Sequence, residues 1–243
     1  MTYVPPAVRH LADRLGGLGW VTDLLVAGSL ATGDYVPGVS DLDLVALTGG
    51  PVGAARQEVL AGLHRELDGG AVHGLDLGCV YVDAGRLADL GALYPTWTHG
   101  SLVQRSLSGV TRAELVRHGF AVLGRPPAVV LPGMTDDDVR RAARAELCGY
   151  WAQAVRRPLW WLNPVIADLG LTSMARGRHA LQTGQLLTKT QAIERVHAPA
   201  WLKDQLRARR RGQPVASPRG RTALIAWQDA RRTVASARRA APD

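Results

Sequence analysis

Short apolar runs and amphipathic stretches alternate through the first half of the chain. Residues 6 to 16 space their apolar positions as a helix does and break at Gly16-Gly17. Asp23 to Ala27 reads as a first strand, with Gly28-Ser29 at its end. Ser29 to Tyr35 fits a short helix, Pro37-Gly38 a turn, and Asp41 to Leu47 a second strand. Helical spacing returns over residues 52 to 68 through Val52, Val59, Leu60, Leu63 and Leu67. Val72 to Val82 predicts a third strand and Phe120 to Leu123 a fourth. After Pro132-Gly133 no strand pattern remains. Thr135 is a good N-cap, and Asp136, Asp137 and Asp138 suit the positive end of a helix running to about Arg156. Further helices fit residues 165 to 183, 189 to 211 and 220 to 239. The pattern therefore predicts an α/β domain over residues 1–132, a small mixed sheet with helices, followed by an all-α helical bundle over residues 133–243.

Composition agrees with two domains of about 120 residues each. The 243 residues are 47% hydrophobic and 21% charged, as in globular proteins, and no apolar run is long enough for a membrane span. The opening MTYVPPAVRHLADRL lacks the basic-then-apolar pattern of a secretory signal, so a cytoplasmic location is expected. Cys79 and Cys148 stand far apart, outside any CxxC or Cys/His cluster, which suggests neither a disulfide framework nor a zinc site. The net charge of +8 is concentrated at one end: residues 200 to 243 carry eleven Lys and Arg against three Asp. That segment, with Arg207, Arg209, Arg210 and Arg211, suits nucleic acid or nucleotide phosphates. A solvated helix face is the favoured reading for most of these arginines, and a nucleic-acid partner is not favoured.

The chemistry lies in GSLATGDYVPGVSDLDLVAL, residues 28 to 47. Side chains alternate along a strand, so Asp41 and Asp43 share one face with Val45 and Leu47. Two adjacent carboxylates repel and lose hydration, and a divalent cation with oxygen preference relieves both costs. Mg²⁺ binds by a few carboxylates and completes its octahedron with water and substrate phosphates. Gly28-Ser29 supplies a complement, since a glycine leaving a strand lets the backbone approach a phosphate and the serine adds a hydroxyl donor.

Gly-Ser, a loop of about ten residues and Asp-x-Asp between apolar residues resembles the signature of the nucleotidyltransferase superfamily, whose fold is that of DNA polymerase β. The variant here looks most like the bacterial adenylyltransferases that modify streptomycin and spectinomycin. The resemblance implies a nucleotidyltransferase domain followed by a helical substrate- and nucleotide-binding domain. It places the family's third acid, commonly Glu, on Asp76 in GLDLGCVYV. Asp76, Gly78, Val80 and Val82 form one face of an apolar strand, an expensive place for an unpaired carboxylate. Asp76 is thereby assigned as base or as third metal ligand beside Asp41 and Asp43. LTSMARGRHALQTGQLLTKTQAI resembles the family's later helix, Thr-Gly turn and following Lys, so Arg176 and Lys189 are carried over as contacts to the nucleotide phosphates. Trp97 falls near the family's drug-packing Trp, and Asp168 is the one acid ahead of the Arg helix that could meet a drug amine.

What the resemblance implies is Mg²⁺-dependent transfer of AMP from ATP to a hydroxyl of an aminoglycoside or aminocyclitol antibiotic. Gly28, Ser29, Arg176 and Lys189 would hold the triphosphate, Asp41, Asp43 and Asp76 the metal, and Trp97 and Asp168 the acceptor. Two alternatives stay open. One is nucleotidyl transfer to a macromolecule, tRNA or protein, for which the basic C-terminal segment argues. The other is a non-catalytic nucleotide-binding regulator, against which the three acids speak. No membrane partner is expected.

Overall fold

The structure, a computed structural model, describes residues 3–70 and 74–239. Two compact units divide it, Met1–Gly133 and Met134–Asp243. In the first, α1 (Pro6–Gly16) leads into β1 (Val21–Val26), the single turn α2 (Gly28–Ala31) and β2 (Leu42–Thr48). α3 (Ala54–Asp68), β3 (Leu77–Asp83), β4 (Leu93–Thr98) and β5 (Ser101–Ser106) follow, then α4 (Gly109–His118), β6 (Phe120–Leu123) and α5 (Pro127–Val130). The six strands form one mixed sheet in the order β5-β4-β3-β2-β1-β6. Among the described residues only β2 and β3 pair in parallel, as their connection through α3 requires.

Alternation along the strands builds a core on each face. Leu42, Leu44 and Ala46 join Leu24, Val26, Cys79 and Tyr81 under α1 and α3. Val45 and Leu47 pack on the opposite face with Leu25, Val82 and Leu115 of α4. Phe120 to Leu123 is a strand, and the helices expected in this half are present, although the second shrinks to the four residues of α2. The third strand begins at Leu77; residues 72 and 73 lie outside the described ones, and Gly74 to Asp76 precede the strand.

Two strands are additions to the sequence reading. β4 contains Pro95, which lacks the N–H a central strand needs and so masks the pattern. The conflict is resolved locally: the ladder to β3 runs through Trp97 and Thr96 and stops before Pro95, whereas pairing to β5 spans Leu93 to Thr98. His99 (φ 48°) and Gly100 (φ 73°), both left-handed, close the hairpin.

The second unit consists of helices α6 (Asp136–Glu146), α7 (Ala152–Val155), α8 (Pro164–Thr183), α9 (Lys189–Arg195), α10 (Ala200–Arg210) and α11 (Arg219–Arg239). Thr135 caps α6 in a reciprocal box with Asp138. The helix expected to reach Arg156 is interrupted by a wider turn over Leu147–Trp151, at Gly149. The single helix expected over 189 to 211 is two: Val196 is extended and Pro199 starts the second, because a proline excludes the helical conformation from its predecessor. Leu171, Met174 and Ala175 of α8 meet Ala226, Ala230 and Val234 of α11 in the core. α8 ends at Gly184 (φ 73°), where a Cβ would lie 2.5 Å from the Cβ of Asp136.

Candidate active site

Where β1 ends, the backbone N–H of Ala27 donates to the carbonyl of Asp43 at 2.9 Å, pinning the exit from β1 against the start of β2. Gly28 follows with φ 59°, and a Cβ there would fall 2.1 Å from Oδ2 of Asp43. Only a residue without a side chain lets the turn and the carboxylate approach so closely. The hydroxyl of Thr32 donates to the carbonyls of Gly28 (3.1 Å) and Ser29 (3.3 Å), closing the turn from behind. The Oγ of Ser29 is buried and has no hydrogen-bond partner among the described residues. An unpaired buried hydroxyl costs about 1–3 kcal/mol, so this one, in the residue after Gly28, is stored donor capacity.

Asp41 and Asp43 are exposed on either side of buried Leu42. The loop before them is set by Ser40, whose buried hydroxyl accepts from the N–H of Val36 at 3.0 Å. The register partner of Asp43 on β3 is Gly78, which presents no side chain and leaves the surface beside Asp43 open. Asp76 arrives at the same end of the sheet. The N–H of Leu42 donates to its carbonyl at 2.8 Å, and Leu77, the next residue, is the partner of Leu42.

Three expectations change in detail. Asp76 does not lie within an apolar strand face; it stands one residue ahead of β3, its side chain 46% exposed, with Oδ2 at 3.5 Å from Nδ1 of His99. Exposure removes the burial cost expected from the sequence. Among the described residues no group of three or more His, Cys, Asp or Glu is placed to hold a metal, so a three-acid centre including Asp76 is not assembled. The chemistry of Asp41 and Asp43 does fit Mg²⁺: they are two exposed carboxylates, Asp41 one residue ahead of β2 and Asp43 at its second position.

Trp97 is core. At 2% exposure its ring stacks on that of His64, centroids 4.8 Å apart and planes 9° from parallel, which leaves no face for a sugar. His64 is itself buried, its Nε2 2.6 Å from the Tyr81 hydroxyl, and burial brings its pKa down to about 3. The imidazole is neutral packing. Burial likewise pushes the Cys79 thiol up to about 12, and both cysteines are free.

In the second unit, Nε of Arg176 donates to the carbonyl of Leu187 at 2.9 Å, tethering the loop between α8 and α9. That loop leads through the cap Thr188 to Lys189, half-buried at the first position of α9. Asp168 is occupied. Arg209 grips it with two bonds, Nε to Oδ2 at 2.6 Å and Nη2 to Oδ1 at 2.9 Å. Burial raises its pKa against the pull of that guanidinium. A carboxylate held bidentately in a partly buried pair has no free edge for a drug amine.

No family model matches the sequence, and no curated protein matches it. Among solved structures, the spectinomycin adenyltransferase AAD(9) from Enterococcus faecialis, crystallised with ATP and spectinomycin, is similar with a TM-score of 0.71. The similarity spans 96% of this chain and 99% of that one at 16% identity. This chain has that adenyltransferase's fold.

Within the adenyltransferase fold, two polar residues that sequence reasoning missed lie around Asp76. His99 reaches it from the β4–β5 hairpin. The alternation in YPTWTHGSLVQRS around a two-residue turn carried the signal, but Pro95 obscured it. Asp68, the last residue of α3, is the second. Burial raises its pKa, a hydrogen bond from the Trp97 indole opposes that, and the charge of Asp76 adds to it. Nothing in the local sequence marks Asp68, because its neighbours come from β3 and β4.

Proposed function

We propose that the chain transfers AMP from ATP to a hydroxyl of an aminoglycoside or aminocyclitol antibiotic, in the cytoplasm, where ATP is available. The observation that carries this reading is the packing of Gly28 against Asp43, with the orphaned hydroxyl of Ser29 on the next residue of the chain. A turn with no Cβ beside a metal-type carboxylate is what a phosphate needs to come close to both. The fold shared with an adenyltransferase solved with ATP supports the same reading.

Asp41 and Asp43 would hold Mg²⁺, which when bound neutralises charge on the reacting α-phosphate and the leaving pyrophosphate. Ser29 donates its hydroxyl to a phosphate oxygen, which ends its unpaired state. Arg176 and Lys189 are the second unit's candidates for phosphate contact; the tether from Arg176 to Leu187 orders the loop that presents Lys189. Asp76, exposed and not part of a three-acid cluster, takes the base role rather than that of third metal ligand. It orients the acceptor hydroxyl and takes its proton as the oxygen attacks the α-phosphorus and the bond to pyrophosphate breaks. Positioning and electrostatics dominate such a reaction.

The test is incubation of the chain with ATP, Mg²⁺ and a panel including streptomycin and spectinomycin, read by mass spectrometry. An acceptor heavier by one AMP is expected. The Asp43→Asn variant should keep its circular dichroism and lose transfer. No adduct on any panel member would refute the acceptor class, and undiminished transfer by Asp43→Asn would refute the site.

A further inference from the structure

A cavity of about 410 Å³ lies wholly within the helical unit, between the start of α8, the segment 215–218 and the first turn of α11. That volume suits a small organic ligand. Its walls are mainly apolar, with Trp161, Val165, Ala167 and Val215 contributing. Most polar groups around it are already satisfied. The Trp161 indole donates to the carbonyl of Ala154 at 3.1 Å. Arg209 spends its donors on Asp168, the Val215 carbonyl and the Ser217 hydroxyl.

Two groups break this pattern. Thr222, 3% exposed and lining the cavity, has an Oγ1 that is buried with no hydrogen-bond partner among the described residues. Arg219, three residues earlier at the start of the same 21-residue helix, lines the cavity and is exposed. Its Nε donates to the Leu162 carbonyl at 2.5 Å, and no acidic side chain pairs with it among the described residues. Asp168 and Arg209 cancel, so Arg219 leaves the lining with one positive charge. The amino end of α11 adds positive potential at the same place.

We propose that this cavity binds a small monoanion with an apolar body, such as an aromatic carboxylate, separately from any nucleotide. The carboxylate accepts hydrogen bonds from the Thr222 hydroxyl and the free guanidinium N–H groups of Arg219, while the ring lies on Trp161, Val165 and Val215. Apolar burial supplies attraction and the two donors orient the ligand. An amine would meet Arg219 instead of a free acid, since Asp168 is committed.

The probe is naphthalene-1-carboxylate, titrated calorimetrically into the full chain. Saturable one-to-one binding is expected, with affinity unchanged by saturating ATP. Thr222→Val and Arg219→Gln should each weaken binding about five- to tenfold, the loss of one good hydrogen bond. Thr222→Ser, which restores the hydroxyl, should recover it. 1-Naphthylmethanol, with the same body and no charge, should bind more weakly and ignore Arg219→Gln. Absence of saturable binding, equal affinity for acid and alcohol, or indifference to both variants would overturn the proposal. Because no readout involves AMP transfer, its failure and that of the transferase reading are separable.

Discussion

Gly28→Ala tests the site at its tightest point. An added Cβ would sit 2.1 Å from Oδ2, 2.9 Å from Cγ and 3.0 Å from Cβ of Asp43. Ordinary carbon–oxygen contact requires a little over 3 Å, so the carboxylate must retreat by about 1 Å; displacement of that size at a reacting centre costs about 100-fold in rate. Backbone adjustment is resisted by the 2.9 Å bond from Ala27 to Asp43. Forcing alanine into the left-handed region at φ 59° adds about 1–2 kcal/mol of destabilisation. For a unit of this size that lowers Tm by roughly 3–8 °C. Gly33 is the control: its φ is 73°, yet a Cβ there meets nothing within 4 Å. Gly33→Ala should show the same fall in Tm and keep its turnover. The assay is AMP transfer at saturating ATP, alongside thermal melts of both variants. Turnover by Gly28→Ala within about threefold of the parent would refute the reasoning. So would an equal loss in Gly33→Ala.

Trp97→Ala should destabilise the chain by about 3–5 kcal/mol, because it empties a buried ring site. A raised KM with an unchanged melt would instead make Trp97 an acceptor contact. His64 titrates near 3 folded against an ordinary 6.5, so the unfolded chain binds the extra proton between those values. Stability therefore falls as pH drops below 6.5, by roughly 2 kcal/mol at pH 5 from this group. His64→Gln should flatten that slope, and equal losses of Tm from pH 7 to pH 5 in both chains would contradict it. Asp23 is fully buried in β1. Its burial is outweighed by hydrogen bonds from the Arg125 side chain and backbone and from Thr22, and its pKa is lowered from 3.8. Its contribution is thus complete above pH 4 and lost as pH falls through the lowered value. The Tm gap between parent and Arg125→Ala should be full at pH 7 and narrow at pH 3.5; a constant gap would place the effect elsewhere.

The part of the site legible in the sequence is the part made locally. Gly28 and Asp43 are fifteen residues apart on consecutive elements, so strand alternation and turn chemistry suffice to bring them together. The α/β half and the helical half were legible for a similar reason: periodicity of two and of 3.6 survives in short windows. Trp97 could not be placed that way. Its exposure depends on His64 of α3 meeting a strand that Pro95 concealed. Asp168 read as a free acid because its partner, Arg209, lies 41 residues further on.

The sequence by itself determined which residues carry charge, that an α/β half precedes a helical half, and that two carboxylates follow a Gly-Ser turn. Tertiary structure alone decided which polar groups are already spent. Asp23, Asp168 and Trp97 are bound by partners from distant segments, whereas the hydroxyls of Ser29 and Thr222 are not. Hydrogen-bond and ion-pair satisfaction acts over a few ångströms in space, and a residue's neighbours in space are fixed only once the layers have packed.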